Sequence, residues 1–191
     1  MKKLFLSFCL LFTASSASNA ATIFFDLAGT GGPGLRTTNE NSAVVGSSAT
    51  GGELLGGITF NNVSLVLSIN TGWGTTNGFI NLSGNATAGH LHGPTTSGGT
   101  ASFAQNAGVK YGLDSVAGWN SSASAGGFNG TVTILAADVP ALLNGQFYMN
   151  IHTATNGGGE IRGNLVQVPE PTVSLMGAAA TLGLLTLRRR R

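Results

Sequence analysis

The sequence predicts an all-β protein, an antiparallel β-sandwich or open barrel with one short helix, flanked by a signal peptide and a C-terminal hydrophobic helix. Short runs of alternating apolar and polar residues recur between turns rich in Gly, Asn, Ser and Thr, which is typical of strands joined by tight connections. The chain has 30 glycines in 191 residues and only 8% charged residues. No strand–helix–strand alternation is present. We divide the chain into residues 1–20, 21–167 and 168–191.

The first segment has the organisation of a secretory signal peptide. Lys2 and Lys3 precede an apolar run over residues 4–12, and the small residues Ser18 and Ala20 mark a cleavage site after Ala20. The only cysteine, Cys9, lies within this segment. The mature domain therefore has no disulfide, thiolate metal site or cysteine nucleophile.

The charge of the central domain excludes nucleic acid as a partner. Between residues 21 and 167 the basic residues are Arg36, Lys110 and Arg162, against six carboxylates. The remaining lysines and arginines lie in the two terminal segments. A mildly acidic domain lacks the basic patch that phosphate backbones require.

The predicted strands follow one another along the central domain with short connections. A short helix is expected from residue 138 to 143, with Asp138 as the cap, Pro140 in the first turn and Gly145 as the stop. The strands are expected near residues 22–27, 54–60, 63–70, 79–82, 87–92, 101–107, 109–113 and 130–135, with a weaker one near 43–45 and a loop that carries Trp73.

The stretch from Gln146 to Gln167 predicts a β-hairpin around a glycine-rich turn. Its residues alternate between apolar and polar on both sides of the sequence Asn-Gly-Gly-Gly at 156–159. Side chains on a strand point alternately to opposite faces, so one face of the hairpin is polar. That face carries Tyr148, Asn150, His152, Glu160, Arg162 and Asn164.

The three histidines of the chain suggest a metal site. His90 and His92 are two residues apart on a predicted strand, so both rings point to one face. If the hairpin pairs beside this strand, His152 supplies a third imidazole, and three nitrogen ligands suit zinc or copper. A carboxylate ligand would then come from Asp114, Asp138 or Glu160.

A structural interpretation of the same residues stays open beside the metal hypothesis. The histidines would form hydrogen bonds within a buried polar network, and Glu160 and Arg162 would form an ion pair on one strand face. A carbohydrate-binding role is a further alternative, with Trp73, Trp119 and Tyr148 as stacking residues.

Four motifs in order resemble the CHRD domain, which is named after the extracellular protein chordin. They are His90–Pro94, Ala136–Gly145, Phe147–Thr153 and Gly159–Gly163. The resemblance implies an all-β extracellular domain. A fainter similarity to Cu/Zn superoxide dismutase rests on the His-x-His strand, but this chain has too few histidines for two metals and no disulfide.

The C-terminal segment resembles the PEP-CTERM sorting signal. Pro169, Glu170 and Pro171 precede an apolar span over residues 172–187, which is followed by Arg188, Arg189, Arg190 and Arg191. The resemblance implies a Gram-negative bacterium, export by the Sec machinery, transient anchoring in the inner membrane and processing by an exosortase.

These observations predict a secreted, non-enzymatic protein of the cell surface or extracellular matrix. Its expected partners are the export and sorting machinery, and exopolysaccharide or other matrix proteins. No cofactor is expected under this hypothesis. The alternative is a copper- or zinc-binding protein that uses His90, His92 and His152.

Overall fold

A computed structural model describes residues 21–120 and 124–169. The predicted signal peptide and the sorting signal from Glu170 onward lie outside these residues. The strands are β1 (Thr22–Gly29), β2 (Gly32–Pro33), β3 (Leu35–Arg36), β4 (Thr50–Asn61), β5 (Val66–Trp73), β6 (Ala86–His92), β7 (Val109–Gly112), β8 (Trp119–Asn120), β9 (Gly126–Thr133), β10 (Tyr148–Thr153) and β11 (Ile161–Gln167). One α-helix, α1, spans Val139–Leu143, and short 3-10 turns cover Thr37–Asn39, Thr75–Asn77, Gly99–Ser102 and Ala136–Asp138.

All the strands of the described residues belong to one antiparallel sheet, which confirms the prediction of an antiparallel all-β domain with one short helix. Its order is β7-β6-β10-β11-β1-β4-β5-β9-β8, with β2 paired to β1 and β3 between β11 and β4. The sheet folds back on itself, so that strands far apart in this order come into contact. The hydroxyl of Thr71 in β5 donates a hydrogen bond to the sulfur of Met149 in β10 at 3.7 Å. Near one edge, the ring of Trp119 lies against Gly89 of β6.

The core lies between the two halves of the folded sheet. Strand alternation sends one set of side chains inward, and these are almost wholly buried. The largest are Trp73, Phe25, Phe60, Phe128 and Phe147. Trp73 ends β5 inside this core and contacts Trp119 at 5.2 Å between ring centroids, so the expectation that it lies in a loop is wrong.

Several of the weaker strand predictions are wrong. Residues 43–45 and 79–82 form no strand, and residues 101–107 form a 3-10 turn followed by a loop. The backbone of 79–82 bonds one residue at a time to separate segments: Phe79 N–H donates to Gly74, and Leu82 N–H donates to Ser124. Bonds to scattered partners do not make the ladder that defines a strand.

The predicted helix is present, but Asp138 does not cap it through its side chain. Proline occupies the first turn of α1, and Gly145 has the left-handed φ of 68° that follows a helix end. The Asp138 carboxylate instead accepts a hydrogen bond from the Tyr111 hydroxyl at 2.6 Å and lies 3.2 Å from Lys110 Nζ. It therefore fastens α1 to β7.

The outer face of β6, β10 and β11 is polar and yet buried. Segments 37–48, 93–108 and 153–159 bond to the side chains of this face. Sheet faces that point away from a core are usually solvated, so this covered polar layer is the unusual feature of the fold. Within the described ranges, no helix has the length and apolar character needed to span a membrane.

Candidate metal centre

The three histidines converge on the covered polar face. Strands β6 and β10 pair with His90 opposite Asn150 and His92 opposite Tyr148, so His152 falls one step along the same face. The ring centroids of His90 and His152 are 4.9 Å apart, and those of His92 and His152 are 5.8 Å apart. One nitrogen from each ring lies within 4.8 Å of the other two.

Backbone carbonyls fix the orientation of two of the rings. The Nδ1 atoms of His92 and His152 lie 3.0 Å from the carbonyl oxygens of Ala107 and Gly157, respectively. Because a carbonyl oxygen only accepts, Nδ1 carries the proton in both rings and Nε2 is an acceptor; Nε2 of His92 has no partner, whereas Nε2 of His152 faces His90. Such outer hydrogen bonds are what set the tautomer of metal-binding histidines.

His90 is oriented from both sides. Its Nδ1 lies 3.1 Å from Nε2 of His152, and its Nε2 lies 3.9 Å from Oδ1 of Asp114. The nitrogen that faces the cluster is therefore Nδ1, while Nε2 faces the carboxylate. Of the three carboxylates considered from the sequence, only Asp114 lies at the cluster. Asp138 is bonded to Tyr111, and Glu160 is held by four residues of its own network.

The surroundings of His92 and His90 disfavour the charged form of both rings. Burial lowers the pKa of His92 to about 4, with smaller contributions from the charges of His152, His90 and Arg162, against the Ala107 hydrogen bond that raises it. Burial and His152 also lower the pKa of His90, while Asp114 opposes them. Neutral imidazole is the form that binds metal.

One nitrogen of the cluster is left without a partner. His92 is 8% exposed, and its Nε2 is buried with no hydrogen bond. Ligands of a tetrahedral zinc ion, with bonds of about 2.0–2.1 Å, would lie about 3.3 Å apart. The 3.1 Å between His90 Nδ1 and His152 Nε2 is near that value. The three nitrogens lie within 4.8 Å of one another, so the His92 ring would move inward by up to about 1.5 Å to complete a three-nitrogen site.

Tyr148 and Arg162 support the cluster from the side. The Tyr148 ring stacks on His92 with a centroid distance of 4.9 Å and an angle of 9°. The guanidinium carbon of Arg162 lies 3.5 Å from the Tyr148 centroid. Because β10 separates β6 from β11, the tyrosine is held between the two. Tyr148 is only 3% exposed, so neither it nor buried Trp73 can stack on a sugar at the surface.

Arg162 anchors the segment that covers the histidines. Its guanidinium is completely buried and donates to the carbonyl oxygens of Ser102 and Gln105 and to the amide oxygens of Asn106 and Asn164. Burial lowers its pKa, while Tyr148 and Glu40 oppose that effect. These bonds hold the segment in the irregular path that brings Ala107 over His92.

Glu160 belongs to a separate network, and the expected Glu160–Arg162 ion pair does not form in the described part of the chain. The buried carboxylate accepts hydrogen bonds from the hydroxyls of Ser47, Ser83 and Thr153, the backbone N–H of Ser83 and the amide of Asn156. Burial alone would raise its pKa, but these hydrogen bonds together lower it. The network joins two loops to the β10–β11 turn.

The sequence also left two contributors unassigned. The role of the Ala107 carbonyl cannot be predicted from the sequence, since every residue has a backbone carbonyl. Asn150 was placed on the polar face but given no role. It is 2% exposed and its Oδ1 has no partner. The alternation of apolar and polar residues predicts the strand face on which Asn150 lies. Its burial depends on loops that pack over that face, which the local sequence does not indicate.

A comparison with protein-family models matches residues 23–165 to the CHRD domain. The chain belongs to the CHRD family. The match begins within β1 and ends within β11, so it also includes the strands that precede the first of the four motifs, at His90. Neither the curated proteins nor the solved structures contain a match. Membership in this family is consistent with an extracellular protein. Of the sorting residues, only Pro169 lies within the described ranges.

Proposed function

We propose that this CHRD-domain protein binds one copper or zinc ion through His90 Nδ1, His92 Nε2 and His152 Nε2. The observation that carries the proposal is the partnerless Nε2 of buried His92, which lies in a cluster with the nitrogens of two other imidazole rings. Buried polar atoms are nearly always hydrogen-bonded, so an orphan lone pair in a histidine cluster favours an electrophile as its partner. The proposed role is metal binding and not catalysis.

The ligand set favours copper and zinc over the hard cations. Three imidazole nitrogens suit Zn²⁺ and Cu²⁺, whereas Ca²⁺ and Mg²⁺ take oxygen ligands. On metal binding the proton of His90 would move from Nδ1, which faces His152 Nε2, to Nε2, where the Asp114 carboxylate would orient the ring.

Metal analysis of the purified, loaded chain tests the proposal. We expect close to one equivalent of copper or zinc, and a large loss in His92→Ala. The variant Asp114→Asn should retain the ion with about 10–100-fold weaker affinity, because it changes only the orienting group. Absence of bound copper and zinc after loading, or equal binding by His92→Ala, would contradict the proposal.

We further propose that the protein is exported and sorted to the cell surface or extracellular matrix by an exosortase. The support is in the sequence: the leader at residues 1–20, the Pro169-Glu170-Pro171 motif, the apolar span and the arginines at 188–191. Cell fractionation of the full chain and of a truncation after Gln167 tests it. We expect the full chain to pass through a membrane-bound precursor that the truncation lacks. Identical fractionation of the two would refute the sorting proposal.

A second candidate function, binding of a neutral polysaccharide, is favoured by an uncharged cleft on the outer face of β4, β5 and β9. Two adjoining cavities of about 370 and 550 Å³ share Asn70 and Asn129. Their linings contain amides, hydroxyls, glycines and the apolar residues Leu54, Leu55, Ile69 and Phe128, and no ionisable group. Leu55 is 98% exposed beside them, where it offers an apolar contact to the face of a sugar ring.

Co-sedimentation with insoluble neutral and acidic polysaccharides tests the cleft. We expect retention on a neutral polymer, weakened in Asn129→Ala and unchanged in Asn62→Ala, which lies at an exposed turn away from the cleft. Binding to acidic polymers alone, or equal retention of both variants, would exclude this function for the cleft.

A further inference from the structure

The three histidines would supply three ligands to a metal ion, and the other polar side chains near them are bonded elsewhere or face away. The Tyr148 hydroxyl is committed to the backbone of Ala107, whose N–H donates to it and whose carbonyl accepts from it. Asp114 faces the Nε2 of His90, while Nδ1 of that ring faces the cluster. The Glu160 carboxylate is saturated by its own network.

Asn150 is the remaining side chain of this face beside the cluster. It lies directly opposite His90 in the strand register and two residues before His152 on the same face. Opposed side chains of an antiparallel pair have their Cβ atoms about 4.5–5.5 Å apart. Asn150 is 2% exposed, and its Oδ1 is buried without a hydrogen-bond partner. The amide lies near Gly159, whose N–H donates to Asn156, and near Glu40 Oε2, which is itself a buried acceptor without a partner. Neither neighbour supplies the donor that Oδ1 lacks.

We propose that the metal site keeps one open coordination position, taken by water or a small anion, and that the Asn150 amide hydrogen-bonds this exogenous ligand. The inference rests on the proposed metal binding. A bound water would donate to Oδ1, and a bound anion would accept from Nδ2. Three protein ligands with an exchangeable fourth are the pattern of open metal sites, whereas closed structural sites have four protein ligands.

Solvent reaches the histidine cluster mainly from one side. The side chain of His90 is 21% exposed and that of Asp114 is 32% exposed, whereas His92 and His152 are 8% and 9% exposed. The opening is therefore on the side of His90 and Asp114.

Azide binding to the Cu²⁺-loaded full chain tests the open position. We expect azide to displace water, to add a charge-transfer absorption band and to change the electron paramagnetic resonance parameters of the copper. If copper is bound and azide changes neither spectrum, the open position is refuted while the metal site stands. If no copper binds, the proposed function itself fails, so the two failures are distinguishable.

Variants of Asn150 test its role. Asn150→Leu should bind one equivalent of copper and bind azide about tenfold more weakly, which corresponds to the loss of one hydrogen bond. The nearly isosteric Asn150→Asp keeps the packing and should weaken azide further, because a carboxylate repels an anion. The control Asn85→Leu changes an exposed residue and should match the wild type. Unchanged azide affinity in both Asn150 variants, or loss of copper from both, would overturn the role given to this residue.

Discussion

Glu160 and Arg162 show how single residues hold a buried polar layer together. Both are completely buried and close in sequence, yet each charge is accommodated by neutral groups. Five donors surround the carboxylate, and four oxygen acceptors surround the guanidinium. Burial of an ion without such partners would cost several kcal/mol. These residues are therefore structural, and they fix the segments that surround the histidines.

Replacement of Glu160 by Gln in the metal-free protein should destabilise it by at least about 2 kcal/mol at pH 7, since a charged acceptor with several donors is lost. The folded-state pKa of Glu160 lies below its ordinary value of 4.5, so its contribution is complete above pH 4.5. That contribution is lost as the pH falls through the folded-state pKa. Chemical denaturation of both proteins at pH 7 and at pH 3 measures the difference.

The difference in unfolding free energy between wild type and Glu160→Gln should therefore shrink at pH 3. Subtraction removes the acid sensitivity of the other groups that both proteins share. A difference of equal size at the two pH values would contradict an ionised Glu160 at the centre of this network.

At the residue scale, the sequence predicted the strand face on which a side chain lies better than it predicted the groups to which that side chain bonds. The period-two pattern placed Tyr148, Asn150 and His152 on one side of a strand, and the structure agrees. It also suggested the Glu160–Arg162 ion pair, because residues two apart share a strand face. The two side chains point to different loops, and which loop packs over each depends on chain segments far away in sequence.

Among the elements, the β10–β11 turn does most to position the site. The Gly157 carbonyl receives the His152 ring, and Gly159 brings the backbone against Asn150 with a φ of 127°. A Cβ at Gly159 would lie 2.4 Å from Asn150 Nδ2 and from Glu40 Oε2. Only glycine meets both the backbone and the space requirement here.

Gly159→Ala should destabilise the domain by about 2–4 kcal/mol and reduce metal binding, because the turn must move away from Asn150. The matched control is Gly157→Ala. A Cβ there meets nothing within 4 Å, and Gly157 is not among the positive-φ glycines. We expect a change within about 0.5 kcal/mol for the control. Thermal unfolding together with metal analysis checks the pair, and equal effects of both substitutions would refute the role of Gly159.

Predictions of elements succeeded where local pattern decides and failed where distant contacts do. The hairpin, β6 and the helix after residue 138 were predicted because alternation or a proline and glycine mark them. The pairing of β6 with β10 cannot be predicted from the local sequence of either strand, because the two strands are about 60 residues apart in the chain. The strand expected at 101–107 failed because its carbonyls bond to Arg162 and not to a neighbouring strand.

For the whole molecule, the covered polar layer is stabilised from one side by the core and from the other by the loops. The loops bond mainly to Arg162, Glu160, Tyr148 and two of the histidines. Without a cysteine in the central domain, no disulfide secures them. A metal ion held by β6 and β10 would bind the native state alone, so its binding free energy would add to the stability of folding.

The full chain should therefore unfold at a higher temperature with metal than without it. At an ion concentration 100 times its dissociation constant, the stabilisation is about 2.7 kcal/mol, which for a domain of this size raises the midpoint by about 5–11 °C. His92→Ala should unfold at the same temperature with and without the ion, because it removes one ligand and leaves the outer network intact. Scanning calorimetry with copper, with zinc and with chelator measures the shift. If copper, zinc and chelator all leave the unfolding midpoint of the wild type unchanged, the histidines form only a hydrogen-bonded cluster, and the metal proposal is refuted.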